Sequence, residues 1–155
     1  MKTILFKTIA IVLLVAGAMA CKKEKGDTFP QEVPFTEYSL TDTYCQWQNL
    51  NYDKKLIIID SLAALDEYVS CTEGTFPEID FSKNTLLIVS GIGAGNVISI
   101  HTTFIQYAAA QYELSVIVRT RMLIITESWR ISILAPKIPN GAAINVTVES
   151  VLSNN

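Results

Sequence analysis

In the stretch LLIVSGIGAGNVISIH, residues 86–101, Gly91, Gly93 and Gly95 form a Gly-x-Gly-x-Gly row between two apolar, β-branched runs. A phosphate-binding loop needs its glycines to open a helix, because the helix N-terminus supplies the aligned N–H groups and positive dipole end that hold the anion. Residues 96–106 do not read as helix: they are rich in β-branched and aromatic side chains, with Ile98, Ile100, Thr102 and Phe104 on one alternate face. No Gly-Lys-Ser or Gly-Lys-Thr completes a Walker A loop, and the third glycine comes too early for a dinucleotide-binding fingerprint. The row therefore predicts a β-hairpin, with Gly and Asn supplying the positive φ of its turn.

The neighbouring segments fit the same pattern. Residues 85–90 are nearly all apolar, as in a central strand. Tyr112, Leu114, Val116 and Val118 alternate along one face, as do Trp129, Ile131 and Ile133, and then Ile144, Val146 and Val148. Pro136 and Pro139-Asn140-Gly141 separate the last two runs. Upstream, Lys55-Leu56-Ile57-Ile58-Ile59 reads as a strand ended by Asp60 and Ser61, both good N-cap residues. Leu62, Leu65 and Val69 then recur at helical spacing, which predicts a helix over residues 61–70. The expected class is α+β: a mostly antiparallel β-sheet or partial barrel of about six strands with one short helix packed on it.

The first twenty residues carry Lys2 and Lys7, an apolar run, and small residues before Cys21, the order of a secretory signal. The uncharged run is short for a membrane span, which needs about 20 apolar residues. Ala18-Met19-Ala20-Cys21 resembles the lipobox of bacterial lipoproteins, with Ala18 where Leu is usual. That reading makes residues 1–20 a signal peptide and Cys21 the site of acylation by chains such as palmitate. Such chains would anchor the protein without a transmembrane helix. Residues 21–34, charged and then punctuated by Pro30 and Pro34, are expected to be a flexible tether, and residues 35–155 a single globular domain. Lys22, in place of an inner-membrane retention Asp, points to the outer membrane and leaves its face open.

Removing Lys2 and Lys7 leaves 10 of the 12 basic residues against 15 acidic ones, a formal charge of about −5. That balance argues against nucleic acid and against electrostatic attraction to anionic lipid. Cys45 and Cys71 form either a disulfide of an exported protein or two separate buried thiols. With His101 the only histidine, neither a zinc cluster nor a Cys-His or Ser-His-Asp site is expected, and no Gly-x-Ser-x-Gly elbow is present. Alternation places His101 on the more polar sheet face. Tyr44, Trp47 and Tyr52 would form either a stacking platform for a ligand or a cap on one end of the core. Arg119, Arg121 and Arg130 would either bind a carboxylate together or lie on a solvated face with Glu113 and Glu127.

The order of these signals, from Trp47 through IDFSKNTLLIVSG (residues 79–91) to Pro136-Lys137-Ile138-Pro139, resembles small lipoproteins of Bacteroidetes type and PrcB-like domains. The latter are named for a lipoprotein that accompanies and stabilises a secreted protease complex. Where that pattern has a longer Gly-rich hairpin with Gly-Tyr, this chain has the compact Gly93-Ala94-Gly95-Asn96. The resemblance implies a binding role: a non-catalytic, membrane-anchored lipoprotein that holds another envelope protein, a protease among the candidates, with Gly93, Gly95 and Asn96 at a contact. The alternative is a lipoprotein that binds a carbohydrate or small ligand through Tyr44, Trp47 and Tyr52. Neither reading calls for a cofactor, a metal or nucleic acid.

Overall fold

A computed structural model describes residues Thr28–Ser153. The expected signal peptide 1–20, the expected acylation site Cys21 and residues 22–27 of the expected tether lie outside the described residues. The elements are β1 (Gln31–Glu32), β2 (Thr36–Glu37), β3 (Cys45–Trp47), β4 (Asp53–Ile59), α1 (Leu62–Asp66), β5 (Val69–Cys71), β6 (Asn84–Ala108), β7 (Gln111–Pro136) and β8 (Ala143–Leu152). The mostly β class holds: a six-stranded, largely antiparallel sheet, a two-stranded sheet and one short helix.

The glycine row does not turn the chain. β6 and β7 stay paired from Asn84↔Pro136 to Ala108↔Gln111, and the hairpin closes at residues 109–110 instead. Four of the expected strands are thus two long ones. A straight 25-residue strand would extend about 80 Å, too far for a domain of this size, and the ribbon is folded over at the glycines. Leu87 and Val89 from one half share a core with Phe104, Leu114, Val116 and Val118 from the other. At the corner the register slips: Gly95 pairs with Thr126, whereas Asn96 pairs with Arg121, so residues 122–125 of β7 are extruded. Gly91 lets the Trp129 indole close over it, since a Cβ there would lie 2.6 Å from the ring. Gly95 takes φ +96°, where a side chain would meet the Arg121 carbonyl. A β-bulge with a positive-φ glycine is a known way to bend a strand.

Folding over makes two half-sheets. β4 and β2 flank residues 84–94 and 126–136, while β1 and β8 flank residues 96–108 and 111–121. β1 pairs at Gln106 and Ile105, and four residues later β2 pairs at Leu134 and Ile133, so the N-terminal segment straps the halves together. Val33 is buried and donates its N–H to the Phe104 carbonyl. Residues 31–34, expected as tether, are therefore part of the fold, because a free strand edge and the apolar core accept them. After β7 the chain crosses back, with Ile138 N–H donating to Thr85 Oγ1 and Ala143 N–H to the Ala110 carbonyl, and β8 joins β7 in parallel.

A second core lies on the other face of the first half-sheet, where Leu86 and Ile88 meet Tyr38, Ile59, Leu65, Val69 and Ile79. Ser61 caps α1 as its sequence predicts, its side chain accepting from Ala64 N–H. The helix ends at Asp66, short of the expected residue 70. Gln48 N–H donates to the Tyr68 carbonyl and Asn49 Nδ2 to that of Glu67, drawing the chain into β5, opposite β3. β-branched Val69 favours the strand. Cys45 and Cys71 face each other in that pair and are joined by a disulfide.

Ahead of β6, Asp80 accepts from Ser82 and pairs with Lys83 Nζ at 2.8 Å. Hydrogen bonds from Lys83 and then Ser82 hold its carboxyl down to about 2. The folded group is more acidic than its unfolded counterpart, so its contribution to stability is complete above the ordinary Asp range and is lost as pH falls toward 2. A carboxyl-detected NMR titration should place the Asp80 midpoint near 2, and Lys83→Ala should move it upward; an unchanged midpoint in that variant would refute the assignment.

Candidate functional site

Strand pairing is incomplete beyond the strap. Among the described residues, 126–131 of β7 and 96–103 of β6 have only each other's strand as neighbour, leaving one edge of each open. Tyr38 N–H donates to the Ser132 carbonyl from outside the ribbon. By the period-two alternation of an antiparallel ladder, the backbone groups of Arg130 and Ser128 point outward in the same way. Between the half-sheets lies a cleft of about 290 Å³ lined by Phe35, Glu37, Ile100, Thr102, Arg130, Ile131, Ser132 and Ile133.

Arg130 marks the mouth of this cleft. Its guanidinium carbon sits 5.0 Å from the centroid of the Trp47 ring, a cation–π distance. Trp47 also packs edge-on against Tyr38, with centroids 6.0 Å apart. The residue remains exposed as a whole, yet burial against the indole lowers the guanidinium pKa, opposed by the nearby charges of Tyr52 and Glu37. The ion pairs among the described residues are Lys55–Asp53 and Lys83–Asp80, so Arg130 stacks without forming one. Asn49 and Tyr52 before β4, and Lys54 near its first residue, take positive φ, a concentration of backbone strain at the start of this strand.

Tyr44 and Trp47 do not share one platform. Alternation along β3 turns Trp47 inward with Cys45, while Tyr44 is exposed on the opposite side. Trp47 serves as a wall of the second core and a bed for Arg130, and its buried Nε1 has no hydrogen-bond partner among the described residues. The three arginines are not aligned: Arg119 and Arg121 pair opposite Ser99 and Asn96, whereas Arg130 lies past the corner opposite Ser90. Glu127, expected as an arginine partner, instead accepts from Asn96 Nδ2 at 3.0 Å and Val97 N–H at 2.7 Å, bracing the corner. Gly93 and Gly95 are buried there, so the surface at this corner belongs to residues 122–125 of the facing strand.

That extruded segment is the feature sequence reasoning missed. Met122, Leu123, Ile124 and Ile125 are all exposed, Ile124 fully. The signal was present in four consecutive apolar residues that break the alternation on either side of them. His101 is exposed on β6 and Cys45 and Cys71 are bonded to each other, so neither thiol is free to act as a nucleophile. Among the described residues no group of three or more His, Cys, Asp or Glu could hold a metal, and no helix could cross a membrane. A second hollow, about 640 Å³, lies beside α1 and the disulfide between Leu62, Val69, Phe76 and Ile79. No known family model, curated protein or solved structure matches the chain.

Proposed function

We propose that this chain is a non-catalytic lipoprotein, anchored through Cys21 to the outer membrane, that binds another protein of the envelope. The open edge of β7 beside the Arg130 cleft carries the reading. Unpaired strand edges are templates for an added strand, and natural proteins protect those they do not use. An extended segment of the partner would pair with the outward backbone groups of Ser128 and Arg130 and seat apolar side chains against Ile100, Ile131 and Phe35. An acidic side chain would meet Arg130, which stacks on Trp47 without an ion-pair partner among the described residues. The PrcB-like resemblance makes a secreted protease the first partner class to examine.

The test is recovery of the intact lipoprotein from gently solubilised native membranes, with Ser128→Pro beside it. Proline at this edge removes one outward N–H while leaving the bonds to β6 in place. The wild type should bring down one stoichiometric envelope protein, and Ser128→Pro at least tenfold less. Equal recovery would overturn strand addition, and recovery of no partner would sink the protein-binding reading. The second reading, a small-ligand carrier, is favoured by the hollow at Phe76 and Ile79, whose volume lies within the usual range for ligand pockets. Its apolar walls suit a hydrophobic molecule better than a sugar.

A further inference from the structure

We propose that the extruded residues 122–125 insert into the surface of a phospholipid bilayer, with Arg119 and Arg121 lying at the headgroup phosphates. The segment projects from the corner of the ribbon because four residues of β7 are left over between the pairs Gly95↔Thr126 and Asn96↔Arg121. It presents Met122, Leu123, Ile124 and Ile125 to solvent, and Ile92 and Ile98 of β6 are also exposed. A soluble surface rarely exposes so many adjoining aliphatic side chains without a use.

Chemistry and reach select the bilayer as occupant. Protein-binding hot spots are built from Trp, Tyr and Arg in packed pockets, whereas this projection is convex and wholly aliphatic at its tip. The flank before it is cationic, with Arg119 and Arg121 exposed, and the acid that follows it, Glu127, is held by Asn96 and Val97. An apolar wedge with arginines on one flank matches the interface of an anionic membrane locally, even though the chain without residues 1–20 carries a formal charge of about −5. Ten residues separate Cys21 from Gln31, at most about 35 Å of extended chain. Ten residues of β6 separate Gln106, the partner of Gln31, from Asn96 at the corner, about 33 Å. β1 runs antiparallel to β6, so the chain before Gln31 leaves at the end of the ribbon away from the corner, and a ribbon lying along the membrane brings Cys21 and the corner to the same surface. In this respect the inference rests on the anchoring reading above.

The test reconstitutes the full lipidated chain into vesicles of phosphatidylethanolamine and phosphatidylglycerol, with an environment-sensitive fluorophore on Ile124→Cys or, as control, on exposed Gln111→Cys at the far end of the ribbon. The probe at 124 should shift to the blue and be quenched by nitroxide-labelled lipid, while that at 111 should stay in water. Arg119→Gln and Arg121→Gln should each weaken binding of an unanchored Cys21→Ala chain about fivefold, the effect of roughly one surface charge. A probe at 124 that remains in water at saturating lipid overturns the proposal, whatever Cys21 carries. A blue shift that appears without vesicles and grows with protein concentration would show a second copy covering the tip, and would overturn it too. The mass of the mature chain reports acylation separately, so loss of the anchor and failure of insertion are told apart.

Discussion

Gly95→Ala should destabilise the folded chain by about 3 kcal/mol and lower its thermal midpoint by roughly 10 °C. Two independent costs meet at this residue. Its φ of +96° lies where an L side chain is strained, worth on the order of 1–3 kcal/mol. The new methyl would also run into the carbonyl of Arg121, which is backbone and cannot swing aside. Arg121 is the last paired residue before the extruded segment, so relief of the clash would have to move the corner itself. Gly141→Ala is the matched control, with φ +80° and nothing within 4 Å of the added atom, and should show the conformational cost alone. Equal melting of the two variants would show that the ribbon does not fold over at Gly95 as described. Because the corner aims residues 122–125, Gly95→Ala should also reduce membrane insertion at Ile124 before it unfolds the domain.

Opening the Cys45–Cys71 bond should cost about 3.5 kcal/mol, the chain-entropy expectation for residues 26 apart in sequence. The loss should be uneven. β3 and β5 have each other as strand neighbours, and together with α1 they cover the second core. The β6–β7 ribbon keeps its own core around Phe104 and Trp129. In a Cys45→Ser/Cys71→Ser chain, hydrogen exchange should therefore accelerate first over residues 45–71 and last along β6 and β7. Trp47 belongs to the loosened layer, so Arg130 should lose its stacking partner and capture of the proposed envelope partner should weaken in parallel. Oxidised and doubly substituted chains that melt together would refute the assigned role of the bond. The bond is consistent with an oxidising compartment outside the cytoplasm.

Much of the local structure was legible in the residues. Period-two alternation identified the inward faces of Tyr112, Leu114, Val116 and Val118 and of Trp129 and Ile133, all of which are buried. Alternation works there because each strand covers one core and shows its other side to something different. Ser61 announced the start of α1, since a capping hydroxyl acts over three residues and needs no tertiary partner. The end of α1 was not legible: the disulfide-linked β3–β5 pair took residues 69–71, a contact with a segment more than twenty residues away. Among the candidate site residues, Trp47 proved to be a wall of the core and the support of Arg130, while Tyr44 lies outside it.

The sequence by itself determined the class of the fold, the strand faces, the cap of the helix and the absence of a nucleotide-binding glycine loop. These follow from short-range stereochemistry and from hydrophobic period. Only the tertiary structure decided that the glycine row bends one long ribbon instead of ending a strand, that Met122, Leu123, Ile124 and Ile125 face outward, and that two edges remain open beside Arg130. The physical reason is common to all three. A strand's register, its curvature and the exposure of its edges depend on how far apart in sequence its partners lie, and glycine permits a turn, a bulge or a close packing contact with equal ease.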